Sequence, residues 1–475
     1  MRGQNRIILT IVGLVAVTVW VSGCAAIDLR AGFAEVNEAV GERLGVKLAW
    51  NSGTELDRAA DEKLRALLSQ PINAEAAVQI ALLNNRELQA IYSDLGVAQA
   101  DLVQAGLLRN PIFNAAVMFP VSNGRPDLEL SVVMSFLDIF YLPLRQRVAT
   151  ARFEVAKSGV AGAVIDLAGQ TRAVFYAHQA NEQLVDLRRT IVQSLEASVE
   201  ITKRLHDAGN ISDLDLLRER ALAGSARLQL RGAELAARQS REQLNIRMGL
   251  WGVQAGWRSE ARLPEIPVLA RDTTAIEQLA VTRSLYLAHA RQAIIASGDQ
   301  LGFDKASALI PELDLGGLGQ REAHWQVGPS IEFPIPLFDQ GQGRAGRAAA
   351  ELRRAQQQYY ALAVTIRAEA RAAQERFDEA LERALYYRDV LLPLHERIVN
   401  ETQLHYNAMQ LGPVQLLRAR EQQIETAAGY VESLRDYWLA HSDMEQIASG
   451  GLPERSGTKN VLTQSPRMAQ NRQGH

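Results

Sequence analysis

Residues 127–136 read Asp-Leu-Glu-Leu-Ser-Val-Val-Met-Ser-Phe. Leu128, Leu130, Val132, Met134 and Phe136 alternate with Asp127, Glu129, Ser131 and Ser135, the period of a strand with one apolar and one polar face. Three other stretches share the pattern. Phe113, Ala115, Val117 and Phe119 alternate with Asn114, Ala116 and Met118; Leu313 and Leu315 with Glu312 and Asp314; and Trp325, Val327, Ile331 and Phe333 with Gln326, Ser330 and Glu332. The expected strands are 111–120, 127–136, 311–318 and 324–334, with turns at Asn123-Gly124-Arg125-Pro126 and from Gly316 to Arg321. Two-faced strands of about ten residues are the pattern of a transmembrane barrel wall, with lipid on one side and water on the other. Two amphipathic hairpins over a soluble core are the alternative. Four strands cannot close a barrel, because known barrels begin at about eight. If these strands cross a membrane, several chains share the barrel.

The chain repeats itself at an offset of 200. Pro111 aligns with Pro311, Ala208 with Ala408, Ile211 with Leu411, and Leu216-Leu217-Arg218 with Leu416-Leu417-Arg418. Heptads recur between these points, as Val185, Val192 and Val199 in one half and Leu385, Leu392 and Val399 in the other. A sustained seven-residue apolar period predicts helices packed side by side with a slight supercoil, as in a coiled coil. Each unit reads helix, hairpin, very long helix, sharp turn, helix. The long stretches run from about Pro143 to His206 and from about Gln340 to Tyr406, and some 60 residues of helix reach on the order of 90 Å. Pro393 is expected to kink the second. Glycines 159, 162 and 169 either weaken the first or permit close helix contact.

The net charge of −3, from 51 basic and 54 acidic residues, leaves no surplus for gripping a nucleic-acid backbone. Past the N-terminus no apolar run approaches the roughly 18 to 20 residues of a spanning helix. Arg2 and Arg6 precede the apolar stretch Ile7 to Trp20, and Ser22-Gly23 stand directly before Cys24, the single cysteine. Val21-Ser22-Gly23-Cys24 resembles the lipobox of bacterial lipoproteins. That resemblance implies acylation of Cys24, a mature chain starting there, and, with Ala25 next, sorting to the outer membrane.

Ala76-Ala77-Val78-Gln79-Ile80-Ala81-Leu82-Leu83-Asn84-Asn85-Arg86-Glu87-Leu88 resembles the opening helix of the TolC family of outer-membrane channels. Arg109-Asn110-Pro111 is similar to that family's entry into the first strand, and Pro334-Ile335-Pro336-Leu337-Phe338-Asp339-Gln340-Gly341 to its return into the long helix. The resemblance spans roughly Ala74 to Ile447. It implies a mainly α fold with transmembrane β: a homotrimer whose three chains form one twelve-stranded barrel, continued by a periplasmic α-helical barrel. It also implies the role of exit duct in a tripartite efflux system. The expected partners are a periplasmic adaptor, an inner-membrane pump such as a resistance-nodulation-division transporter, and outer-membrane lipid. The duct of a type I secretion system and a lipid-anchored coiled-coil scaffold are the alternatives.

The helical hairpin tips are read at about 205–213 and 406–413. Gly209 suits a left-handed C-cap, Ser212 an N-cap, and Asp213 and Asp215 the positive end of the next helix. In the second tip Gly412 precedes Pro413 at the first helical position, and Met409 stands where the glycine is expected. The resemblance makes His206, Asp207, Gly209, Ser212, Asp213, Asp215, Leu217, Tyr406, Gly412 and Leu417 the candidate adaptor-contact or gating residues. The acidic residues read as caps or as a ring steering cations, and His206 and His405 read as exposed, with no metal site assigned. No HExxH, GxSxG or P-loop occurs, so no catalytic residue and no cofactor is expected. The chain divides into a signal peptide (1–23), a lipidated arm (24–73), a first repeat (74–248), a linker around the helical barrel (249–271), a second repeat (272–447) and a disordered tail (448–475).

Overall fold

A computed structural model describes residues 27–51, 55–119, 126–267, 275–310, 312–321 and 324–453. Cys24 and its lipobox lie outside these residues, as does most of the turn expected at Asn123 to Pro126. The helices are α1 (Phe33–Leu44), α2 (Glu55–Leu68), α3 (Ala74–Asn84), α4 (Arg86–Ala105), α5 (Asp138–Asp207), α6 (Asp213–Met248), α7 (Ile276–Arg283), α8 (Leu285–Leu309), α9 (Gln342–Tyr386), α10 (Leu392–Asn407) and α11 (Pro413–Ala448). Strands β1 (Ile112–Met118), β2 (Asp127–Ser135), β3 (Asp314–Arg321) and β4 (Trp325–Glu332) form one antiparallel sheet in sequence order.

The duplication is visible in local chemistry. Asn85 breaks the first helical run with an extended ψ, and its side chain caps α4 by accepting from Leu88 N at 2.8 Å. Ser284 does the same in the second half, accepting from Leu287 N at 3.1 Å. Each half closes on a left-handed glycine packed against the residue before that break. A Cβ at Gly249 (φ 66°) would stand 2.6 Å from the Asn84 carbonyl oxygen, and one at Gly450 (φ 95°) 2.2 Å from that of Arg283. Only glycine fits either place.

Two compact units interleave along the chain instead of following one another. Among the described residues, the first combines 27–34, 93–153 and 296–349, and the second combines 35–92, 154–295 and 350–453. The first unit holds the sheet, and the second holds a helical core. There Ile191, Val192 and Leu195 of α5 pack on Ala223 and Ala226 of α6, with Val199 half-buried beside them. On α9 the buried positions Ile366, Ala370, Ala373, Phe377, Ala380 and Ala384 step by four and three, the seam of side-by-side helices. Of the expected heptad positions, Val185, Val192 and Val399 are buried, and Leu385 and Leu392 half-buried.

One expectation is overturned and two gain detail. The first concerns Gly316 to Arg321, which is not a turn but the body of β3. Glycine there serves close approach: a Cβ at Gly316 would stand 2.3 Å from the Val132 carbonyl oxygen, and the Trp325 ring lies across Gly319. The second concerns α5, which runs unbroken for 70 residues and includes Pro143 in its first turns. Gly169 in this helix is a contact glycine, since a Cβ would meet Gln446 Oε1 at 2.5 Å. The third concerns the second long helix. It carries a π-turn at Tyr387–Leu391 just before Pro393, with Leu392 N donating to Tyr387 O, so the missing proline N–H is absorbed by a widened turn.

Candidate functional site

The strand register sorts the sheet into two faces. Directly paired residues share a face, so Phe113–Val132–Gly317–Pro329 and Ala115–Leu130–Gly319–Val327 form two rows across all four strands. Val117 with Leu128, and Met134 with Leu315 and Ile331, continue that face, which is apolar throughout except for Arg321 beside Trp325 at the hairpin end. Its large side chains stand open: Phe113 is 65% exposed, Val327 82% and Ile331 67%. The opposite face carries Asn114, Asp127, Glu129, Ser131, Ser135, Asp314, Gln320, Gln326, Ser330 and Glu332, with Ile112, Met118, Val133 and Leu318 among them. Every charge on its strand positions is acidic. The outer edges of β1 and β4 have no strand partner among the described residues. A sheet with an open apolar face and two open edges is incomplete as a water-soluble object.

At the first helical tip, Gly209 has φ 77°, its N–H donates to His206 O at 2.8 Å, and Asn210 N donates to Leu205 O at 2.9 Å. This is a Schellman cap. Ser212 then caps α6, accepting from Asp215 N at 3.2 Å while its hydroxyl donates to Asp215 Oδ2 at 2.6 Å. His206 lies between Asp207 (3.6 Å) and Asp213 (3.9 Å). Leu217 is exposed and Leu216 is buried.

The second tip repeats this geometry with a different residue. Met409, not Gly412, takes the left-handed conformation (φ 58°): its N–H donates to Tyr406 O and Gln410 N to His405 O, each at 2.9 Å. Gly412 is extended (φ −85°) and precedes Pro413 at the start of α11, so its role is that of an N-cap. His405 stands against Gln410 Oε1 at 2.5 Å, Tyr406 is 37% exposed, and Leu417 is half-buried. The tip residues of the two hairpins do not converge on one metal-binding group; among the described residues no set of three His, Cys, Asp or Glu side chains could hold a metal ion. A side chain held left-handed costs roughly 1 kcal/mol relative to glycine. Met409→Gly is therefore expected to stabilise the second tip by about that amount, read as slower amide exchange at Ala408 to Gln410, and Gly209→Ala to destabilise the first by a similar amount.

Six residues above the first tip lies a clamp that composition did not reveal. The Glu219 carboxylate, 3% exposed, accepts from Ser198 Oγ of α5 at 3.0 Å and from Arg418 of α11 at 2.6 Å. Burial, and next the Glu219 charge, push the nearby Glu421 carboxyl up from its usual range. The available signal was spacing, since Leu216, Glu219, Ala223 and Ala226 share one helix face.

Two histidines, His178 buried and His289 half-buried, are expected to make the fold sensitive to acid. His178 packs edge-on against Trp257, with Nδ1 3.1 Å from Ser240 Oγ, and burial holds its pKa below the ordinary value of 6.5 despite Glu182 nearby. His289, 3.0 Å from the Val155 carbonyl oxygen, is lowered by burial as well. The unfolded chain takes up these protons first, so stability falls as pH drops below about 6.5. The unfolding midpoint is expected to fall between about pH 7.5 and pH 5.5, and the fall to be smaller in His178→Gln and His289→Gln. The Ser240 hydroxyl donates to the Ala237 carbonyl at 3.0 Å, so the serine beside His178 is bonded as a structural group.

The fold matches known structures. The outer-membrane channel OprN superposes with a TM-score of 0.65 at 15% identity, over 87% of this chain and 96% of that one. The chain has the fold of the outer-membrane channels. The Campylobacter jejuni CmeC outer membrane channel agrees, with a TM-score of 0.62 at 16% identity over 89% of this chain and 94% of that one. In sequence, 385 residues are 22% identical to the cobalt-zinc-cadmium resistance protein CzcC of Cupriavidus metallidurans, covering 79% of this chain and 90% of that protein. No family model matches. This is the fold that the resemblance to the TolC family implied.

Proposed function

We propose that the chain is the outer-membrane exit duct of a tripartite efflux system and works as a homotrimer. The observation that carries this reading is the two-faced sheet with two open edges. Three copies, joined edge to edge, would give a closed barrel of twelve strands, with apolar rows toward lipid and carboxylates toward water. Closure removes every unpaired strand edge. Acylated Cys24 anchors the chain in the outer membrane. The tips, with Met409 94% exposed at one of them, meet a periplasmic adaptor coupled to an inner-membrane pump of the resistance-nodulation-division type. The similarity to a cobalt-zinc-cadmium resistance protein favours heavy-metal ions as cargo. Asp127, Glu129, Asp314 and Glu332, with no cation on their face, suit a cation path.

The test uses the full chain in detergent and in planar bilayers. The expected result is a trimer by native mass measurement, with small, mostly closed, cation-selective currents. A monomer without conductance would instead support a lipid-anchored scaffold. Adaptor crosslinking at Gly209 or Gly412 distinguishes an efflux duct from a free-standing pore, and zinc, cobalt and cadmium tolerance of a strain lacking the chain tests the cargo.

A further inference from the structure

The strands hold 7, 9, 8 and 8 residues. At about 3.3 Å per residue and a tilt near 40°, they rise roughly 18 to 23 Å, short of the apolar band of about 25 Å that barrels present to lipid. At one end of the sheet β1 and β3 begin and β2 and β4 finish. Large apolar side chains stand open just beyond that end: Phe140 after β2, Ile310 before β3, and Phe333, Ile335, Leu337 and Phe338 after β4. Phe338 is 92% exposed. The segment is nevertheless held in a fixed turn. Leu337 N donates to Ile335 O at 2.8 Å, Gly341 N to Asp339 Oδ1 at 2.9 Å, and Gln342 Nε2 to Phe338 O at 3.1 Å. A bonded turn that presents four apolar side chains outward needs a cover. A cation follows it: Arg344 is exposed in the first turn of α9. An apolar strap followed by arginine suits the boundary between acyl chains and anionic phosphates.

We propose that Phe333–Phe338 is a lipid-docking strap that seats in the phospholipid leaflet on the helix side of the sheet and extends the apolar band beyond the strands. This rests on the barrel reading. The experiment places a nitroxide at Phe338→Cys or Leu337→Cys in the full chain, reconstituted in vesicles of phosphatidylethanolamine and phosphatidylglycerol. Val327→Cys reports on the sheet face, and the unsubstituted chain is the blank. The label at 338 is expected to collide with dissolved oxygen several-fold more readily than with a water-soluble nickel chelate, at a shallower depth than the label at 327. Nickel access at 338 and 337 with lipid access at 327 would overturn the strap and leave the barrel standing. A label shielded from both reagents would also overturn it, since a second copy would then be the cover. Nickel access at 327 as well would remove the barrel and the strap together.

Discussion

Leu130→Arg is expected to abolish assembly into the membrane, whereas Ser131→Arg, one residue on, is expected to leave insertion intact and lower conductance. Leu130 lies in the middle of β2, opposite Ala115 and Gly319, in an apolar row that crosses the sheet. An arginine at the midplane of a barrel's lipid face costs roughly 2 to 4 kcal/mol, so three copies would lose on the order of 10 kcal/mol, enough to shift assembly decisively. Ser131 pairs with Asn114 and Leu318 on the face that carries the carboxylates. A cation there would meet water and acidic neighbours, lose little stability, and oppose cation flow. Fractionation of outer membranes reads the first effect and single-channel current the second. Equal insertion of both variants would contradict the assignment of faces.

Periodicity explains why so much of this fold was legible. A strand whose two sides meet different solvents alternates whatever its neighbours do, so β2 was visible from Asp127 to Ser135 without knowledge of its partners. A stretch of glycine is ambiguous by the same logic. Gly316, Gly317 and Gly319 have no side chain to alternate, and they read as a turn until the pairing with Val133, Val132 and Leu130 placed them in a strand, where the backbone at Gly316 needs the space.

The tips divide along the same line. Gly209 announces a left-handed residue, but Met409 does not, because its conformation is imposed by the two hydrogen bonds that close the helix. The Glu219 clamp depends on Arg418, nearly two hundred residues away, and only tertiary structure brings the two together. Capping accounts locally for Gly209, Ser212, Met409 and Gly412.

Asp166→Ala is expected to destabilise the helical unit by about 4 kcal/mol, the largest single-site loss of stability that the described residues suggest. The carboxylate is 6% exposed and receives three donors. Gln446 Nε2 donates to Oδ1 at 2.8 Å, Leu452 N donates to the same oxygen at 3.2 Å, and the Tyr286 hydroxyl donates to Oδ2. These donors come from α11, from the segment after it and from α8, so one side chain on α5 joins both repeats. Burial, reinforced by the Asp166 charge, pushes the Tyr286 hydroxyl well above its usual range and keeps it a donor at any physiological pH. Alanine would leave all three donors buried and unmet, each at about 1 to 3 kcal/mol. Tyr286→Phe removes one donor together with its bond, so a loss of only about 1 kcal/mol is expected. Urea unfolding followed by helical circular dichroism compares the two. A loss for Asp166→Ala no greater than that for Tyr286→Phe would mean that the carboxylate is not the junction described.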